Sequence, residues 1–576
     1  MVFWSAAIAL FSLLSLTMTP TANLLTDPFL QLPGDSSVQV VWFTEFEGTR
    51  HTVRYGKQLE QTAIANTTQL SRSQEDQNSN IPNPPTRPTA RPIWRHEAEV
   101  TGLPQDERRP YQVTSVRADG ATATSEVFTL AAKPAPGRSL KVLLTSDHQL
   151  KPMVAANLQK VKETVGAVDL VLVVGDLINV ADRASEWFDD AAGGAFFPAL
   201  QGRARYQMKN GTQHTGAPII QHAPMYTAIG NHEVMGRVST RNSLNEQYGD
   251  AVPRSIAEQQ YAQQAATVNP TNSSAVRDTW LKNQSFNTDT YEEIFSLPTS
   301  PSGDKRYYAV TFGDIRLITL YVTNIWRTPS LGDDARGKYR ERQADLNTPE
   351  NWGFGQHIFE AIAPGSPQYA WLQQELQSPE FQQAKYKIVM FHHPPHSLGE
   401  NSVPAYTDPV QRVERDAAGA ITAIRYEYPP DQDYLLRDVV PLLEKAGVNL
   451  VFYGHSHLWN RFVSPSGMHF LETSNVGNSY GAFLGDKQRS IPTNFQETYA
   501  ATGNPGGLKP MMPTIAPWQN ESGQPLPYLA SNDITAFSIL DTETGTIGSY
   551  YFDTRQPNAT VVKFDEFSLL RDNTPM

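Results

Sequence analysis

No cysteine occurs among the 576 residues, which excludes disulfides and thiolate metal sites. Basic residues are few: 47 Lys and Arg stand against 59 Asp and Glu, a formal net charge of −12. That balance disfavours nucleic acid and anionic membranes as partners, because both are gripped mainly through Lys and Arg. Small phosphate esters stay open as ligands, since bound cations can supply the local positive charge. Long apolar runs are absent after residue 18, so nothing later reads as a transmembrane helix, and no internal repeat is visible. The one long run, 3–18, reads with 19–22 as a secretory signal or, alternatively, a membrane anchor, and export is the expectation.

What the chain does have is a layout used five times, an apolar run that stops at a metal-type side chain. The runs are 141–149, ending Asp147-His148-Gln149; 170–176, ending Gly175-Asp176; 225–233, ending Gly230-Asn231-His232-Glu233; 386–394, ending His392-His393-Pro394; and 449–457, ending Gly454-His455-Ser456-His457. Short runs rich in Val, Ile and Phe and bounded by Gly or Pro read as buried strands. Between the first two, Val154, Leu158, Val161 and Val165 fall at helical spacing before Gly166, which predicts a βαβ unit. Leu435, Val439, Leu442 and Ala446 repeat that spacing before Gly447. In open α/β sheets ligands bind beyond the carboxyl ends of the strands, where these Asp, Asn and His residues would gather.

Asp147 and Asp176 are hard anionic donors, Asn231 is a neutral oxygen donor, and His392, His455 and His457 offer imidazole nitrogens, with Gln149 as a further donor. These are too many for one ion. They suit two cations about 3.5–4 Å apart that share a carboxylate.

In this order the motifs resemble the calcineurin-like metallophosphoesterases, whose pattern runs Asp-x-His, Gly-Asp, Gly-Asn-His-Glu, His and Gly-His-x-His. The resemblance implies an α/β fold, a four-layer sandwich of two sheets flanked by helices, over 139–556. It implies that Asp147, Gln149, Asp176 and His457 hold one metal and Asp176, Asn231, His392 and His455 the other. The expected cofactors are two divalent or trivalent ions of Fe, Mn or Zn, and the expected reaction is hydrolysis of a small phosphate ester by a metal-bound hydroxide. His232, next to Asn231, is expected close to the bound phosphate as proton donor to the leaving oxygen; the alternative is a supporting contact to a carboxylate. An acid-phosphatase-like phosphomonoesterase is the first expectation. A phosphodiesterase or nucleotidase shares every ligand, and a non-catalytic metal-binding interaction protein is the rival from another class.

Two positions depart from the family pattern. Asp-x-His becomes Asp147-His148-Gln149, and strand alternation turns His148 away from the side that Asp147 and Gln149 face. In the purple acid phosphatases, the branch most similar in layout, a tyrosine follows the Gly-Asp aspartate by three positions; here Asn179 stands there, so no tyrosinate-to-iron absorption is expected.

Short alternating strands over 25–132 predict an all-β sandwich, which resembles the fibronectin III-like domain that precedes the catalytic domain in purple acid phosphatases. Within it 61–91, rich in Gln, Asn, Ser, Thr and Pro, reads as a mobile loop. A Pro/Gly linker covers 133–138. The polar segments 236–300, 400–431 and 485–527 read as loops that shape access to the metals or, alternatively, as idle surface loops. Residues 306–321 predict a hairpin of the second sheet, 368–376 a helix, 534–552 a hairpin closing the second sheet, and 557–576 a tail.

Overall fold

The computed structural model describes residues 22–328, 332, 334, 336–396, 404–464, 466–477, 479, 518–519, 525–526 and 528–570. The apolar stretch of the expected signal lies outside the described residues, among which no helix is long and apolar enough to cross a membrane.

The N-terminal region is all β. One sheet runs Phe29–Gln31, Val38–Thr44, Trp94–Val100, Asn66–Gln69, and a second runs Thr122–Thr124, Arg109–Val116, Arg50–Tyr55, Gln61–Ile64 with Phe128–Leu130 also on Arg109–Val116. Their shared core holds Val40, Trp42, Val53, Ala98, Tyr111 and Val113. Val38–Thr44 is buried on both faces because its other side, with Phe29, belongs to the next core: Phe43 meets Phe188 and Phe29 meets Phe197, each with ring centroids 5.0 Å apart.

Residues from 140 onward form two mixed sheets packed face to face. The first sheet holds Met225–Thr227, Leu170–Val173, Lys141–Thr145, Ile534–Asp541, Thr546–Asp553 and Val562–Ser568 in that order. The second holds Tyr308–Phe312, Ile315–Thr319, Tyr386–Met390, Leu450–Tyr453, His469–Thr473, Trp459–Val463 and Tyr528–Leu529. Strand alternation sorts the second sheet's side chains cleanly. Tyr386, Ile388, Met390, Leu450 and Phe452 face the core between the sheets, whereas Val389, Phe391, Val451 and Tyr453 face helices Pro367–Glu375, Pro379–Gln383 and Val440–Ala446. Val154–Val165 covers the first sheet and stops at Gly166, and Val440–Ala446 stops at Gly447, whose φ of 76° is the left-handed turn glycine allows.

Four expectations are corrected. The hairpin of 534–552 joins the first sheet, because its leading strand pairs antiparallel with the open edge of Lys141–Thr145 (Lys141 opposite Asp541). The expected tail contains Val562–Ser568, a strand paired with Thr546–Asp553 and anchored by buried Phe567 and by Phe564 against Trp459. The segment 61–91 is ordered: Gln61–Ile64 and Asn66–Gln69 each pair with a sandwich strand, and polar groups fix the rest. Arg72 bonds Asp289 at 2.7 Å and Asn283 at 2.9 Å, Asp76 accepts the Leu244 N–H at 2.7 Å, Ser185 donates to Glu75 at 2.9 Å, and Arg91 grips Asp189 through both nitrogens at 2.8 and 2.6 Å. A segment poor in apolar residues is held here by charge pairing instead of burial. Finally, 236–300 is largely helical, with Leu244–Tyr248, Arg254–Val268, Ser274–Asn283 and Asp289–Ile294, and 400–431 carries the hairpin Val410–Arg415 and Ile421–Glu427. Most of 485–527 lies outside the described residues.

Candidate metal centre

All five motifs end at one edge of the two sheets. The backbone leaves three of the five strands abruptly: Asp147, Gln149, Asp176, His455 and His457 all have positive φ, between 38° and 78°. Non-glycine residues seldom adopt that region, and such strain concentrates where function fixes the geometry. The motif glycines serve close approach. A Cβ on Gly230 would collide with the Asp176 carboxylate, and one on Gly454 with Asp147 and Ser146.

The ligand atoms gather in two groups, Asp147 with Asp176 and His457, and His392 with His393 and His455, each within 4.8 Å. His457 Nε2 lies 3.3 Å from Asp147 Oδ1. Asp176 links the groups: its Oδ2 is 3.2 Å from His392 Nε2 and accepts from Gln149 Nε2 at 3.2 Å. His392 Nε2 is also 3.2 Å from His455 Nδ1. Asn231 donates its amide to Tyr248 Oη at 3.0 Å, which leaves Oδ1 buried and without a partner, as an oxygen meant for a cation would be. Carboxylates, imidazoles and this bare amide oxygen fit the hard and borderline divalent ions that the family uses. The Gln149 amide shows its nitrogen to Asp176; rotated, it would offer its oxygen to an ion.

A second ring of groups holds these side chains. Glu233 accepts the N–H of Asp176 at 2.8 Å, Leu177 at 2.8 Å and Gly230 at 2.7 Å, tying the Gly-Asp loop to the Gly-Asn-His-Glu loop. Burial, with Asp176's charge beside it, pushes its carboxyl up to about 8. Glu472 accepts the Ser456 N–H at 2.9 Å and also bonds Ser474 and Asn460, which fixes the Gly-His-Ser-His loop. His392 Nδ1 donates to the Val174 carbonyl at 2.7 Å and so aims Nε2 at the centre. Burial opposes a charge on His392, yet the Asp176 carboxylate overrides it and carries the imidazole up to about 9. Burial likewise opposes ionisation of Asp176, but His392 and then His232 hold it well below the usual carboxylate range. The ion-free pair is therefore an imidazolium facing a carboxylate, and a cation would displace that proton.

His232 lies at the mouth. Its side chain keeps 22% exposure while Asp147, Asp176, His392 and His457 keep 5% or less, so access opens on its side. Its Nδ1 donates to the Asn179 carbonyl at 2.6 Å, its ring stacks on Tyr248 with centroids 4.9 Å apart, and Nε2 stands 4.0 Å from Asp176 Oδ2. His148 bonds Thr145 at 2.9 Å and packs on Phe196, away from the ligands; it lies beyond the strand end at Thr145, in a turn where Asp147 and Gln149 have positive φ, so the turn and not strand alternation sets its direction. At the position of the missing tyrosine, the Asn179 side chain accepts from Lys151 Nζ at 3.3 Å and donates to the Gln149 carbonyl at 3.1 Å.

Sequence reasoning quoted Glu233 and His393 inside motifs without giving them roles. It missed Tyr248 and Glu472, which carry no local signal because each reaches the centre only through the fold.

The sequence pattern of the calcineurin-like phosphoesterases matches residues 140–458, over half the chain. Among solved structures the chain is similar to the purple acid phosphatase PPD1 of yellow lupin (Lupinus luteus) seeds, with a TM-score of 0.52 and 14% identity over 96% of this chain and 74% of that one. That likeness is one of fold. A fainter one, with a TM-score of 0.29 and 11% identity over 74% of this chain and 89% of that one, is to GAP50, the anchor in the inner membrane complex of Plasmodium, and carries no argument. The comparison with curated proteins finds no relative. With the family pattern spanning all five strand-end motifs and the donors converging at one sheet edge, the chain belongs to the calcineurin-like phosphoesterases and is a metallophosphoesterase of purple-acid-phosphatase-like fold.

Proposed function

We propose that the protein hydrolyses phosphate monoesters at a two-metal centre, with Asp147, Gln149, Asp176 and His457 around one ion and Asp176, Asn231, His392 and His455 around the other. The observation that carries this is the position of the Asp176 carboxylate between the two donor groups, within 3.2 Å of His392 Nε2. Ions held by these residues would supply the positive charge that a phosphoryl group needs and would make water a nucleophile near neutral pH. The chain's residues do the rest. Asp176 and Asp147 balance the cations' charge, Glu233 and Glu472 keep the ligand loops in register, and His232 stands where the ester's leaving oxygen would emerge. Because the His232 Nδ1 proton is committed to Asn179, Nε2 carries a proton only in the imidazolium form. Burial lowers that imidazole's pKa, so proton donation to a leaving oxygen belongs to the acid side of the rate profile.

The substrate expected is a small ester, given the acidic chain and the deep centre, and export is proposed from the apolar stretch 3–18. The test is metal-loaded protein assayed on aryl monoesters and diesters. Faster monoester turnover with two ions per chain supports the reading, faster diester turnover replaces monoester with diester, and two bound ions without turnover on either reject it. Recovery of the chain in the cytosol with Met1 intact rejects export.

A further inference from the structure

The imidazole-rich side of the centre brings together three rings, those of His392, His393 and His455. His393 follows His392 and brings a ring nitrogen within 4.8 Å of those of His392 and His455. Its ring lies over His455, centroids 3.8 Å apart and planes 29° apart. An imidazole binds an ion about 2.0–2.1 Å away in its own plane. Two rings stacked this closely, with planes only 29° apart, cannot both turn a lone pair in plane toward one point about 2 Å away, so an ion held by His455 would lie off the plane of His393. His393 is therefore not a further ligand of that ion.

Nor is it a satisfied core residue. Its side chain is 4% exposed, and Nδ1 and Nε2 are both buried without a hydrogen bond among the described residues. The Val322 carbonyl beside it accepts the His393 backbone N–H at 3.2 Å and makes no aligned bond with the ring. Tyr406 has its ring centroid 6.0 Å from His393, and its hydroxyl is likewise buried, with the Thr323 backbone beside it but no aligned hydrogen bond among the described residues. Each of these groups bears the cost of an unmade bond, which native interiors seldom tolerate unless a ligand completes it. Burial does not separate them from the reaction, because Asn231 Oδ1, a donor of the metal centre itself, is equally shut from water. A histidine in either protonation state carries at least one N–H, and a phenol carries an O–H, so the patch offers donors. Its complement is a ligand with acceptor oxygens.

We propose that His393, with Tyr406 beside it, is the subsite that grips the substrate's phosphoryl group, the ring N–H donating to an oxygen that is neither attacked nor expelled. The assignment rests on the phosphoester reading and gives the substrate's phosphate a protein contact beside the metals. It makes His393 a residue of ground-state and transition-state binding alike, and it distinguishes this site from one that relies on metals alone.

The experiment measures binding of inorganic phosphate to metal-loaded protein by calorimetry, with metal content determined on the same samples. His393→Phe keeps a ring to stack on His455 and removes both nitrogens; His393→Gln restores an N–H donor; Tyr406→Phe removes one hydroxyl. The expected result is full metal content in all three, phosphate binding weakened about tenfold or more in His393→Phe, most of it recovered in His393→Gln, and a smaller loss in Tyr406→Phe. Phosphate binding within twofold of wild type in His393→Phe overturns the proposal, and so does loss of an ion, which would make the ring a ligand. Where His393→Phe does not fold, His393→Gln and Tyr406→Phe decide: losses in neither overturn it. Wild-type turnover of aryl phosphates judges the phosphoester reading separately, since phosphate can bind through His393 in a protein that hydrolyses nothing, and esters can be hydrolysed with His393 idle.

Discussion

The two halves of the centre are chemically unlike. Asp147, Asp176 and Gln149 give one half mostly oxygen, with His457 its single imidazole; His392 and His455 give the other two imidazoles, beside the Asn231 amide oxygen and the shared Asp176. Oxygen donors favour harder ions and imidazoles borderline ones, so the halves should differ in metal preference instead of forming two equal sites. Their supports differ in which loop each fixes, not in which half it serves: Glu233 locks the loops of the shared Asp176 and of Asn231, while Glu472 locks the loop that carries His455 of one half and His457 of the other. What joins the halves is one carboxylate, Asp176, and the first way to break the comparison is to remove its charge.

Asp176→Asn should cost both ions and reduce turnover to background, because the amide neither bridges cations nor balances their charge. Metal analysis and turnover on an aryl phosphate check this together, and retention of both ions with near-normal turnover sinks the bridging role. His232→Ala acts on the reaction without touching either half. Metal content should stay full, turnover of alkyl phosphates should fall about 10²–10⁴-fold, and aryl phosphates, whose leaving groups need little protonation, should suffer less. Equal losses on both substrates would make His232 a supporting residue.

The halves can also be loosened through their supports. Glu233→Gln replaces an acceptor of three N–H groups by one that can serve fewer and turns an NH2 toward the rest, so metal affinity should drop about 10- to 100-fold, most for the ions Asp176 and Asn231 bind. Equilibrium dialysis against each metal measures it. For pH, the sign follows from His392. Its folded pKa, raised to about 9, exceeds the ordinary value of about 6.5, so its contact with Asp176 stabilises the ion-free protein fully below about 6.5 and is lost as pH rises through about 9. The Tm of chelated protein should fall across that window while metal affinity climbs, because the cation no longer competes with a proton. A Tm flat from pH 6.5 to 9 after chelation would show that the pair is not charged.

How much of this was legible in the sequence depends on the range of the forces involved. The five strand-end motifs are local, and their order fixed the edge where Asp147, Asp176, Asn231, His392, His455 and His457 meet; that His148 packs away from them was expected for the wrong reason, since it sits past the strand end at Thr145. Helix stops at Gly166 and Gly447 were equally local. The hairpin of 534–552 was misplaced because its apolar pattern suits either sheet, and only the free edge of Lys141–Thr145 decides between them. The segment 61–91 looked mobile because hydropathy counts apolar burial and is blind to ion pairs such as Arg72 with Asp289, more than 200 positions away in the chain. Tyr248, on a helix of an insertion read as loop, shows the same limit, since its neighbour His232 becomes visible only in space.

The smallest expected effect tests whether the oxygen-rich half is made so by Gln149. Its amide nitrogen now meets Asp176 Oδ2 at 3.2 Å, its backbone sits at φ 38°, and its side chain is buried, so it is aimed at the ion's position by the same strained turn that aims Asp147. As a ligand it would have to turn its oxygen inward and give up that hydrogen bond, which makes it a weak donor. Gln149→His places an imidazole there, raises the nitrogen count of the poorer half and makes the two halves more alike. The ion shared by Asp147 and His457 should then bind about tenfold tighter, roughly the gain of one better-matched donor, while the ion of Asn231 and His455 should be unaffected. Competition with a chelator, read ion by ion, separates the two. Equal tightening of both ions would mean that the substitution acts through Asp176, and no change in either would mean that Gln149 serves Asp176 as a hydrogen-bond donor and never meets the metal.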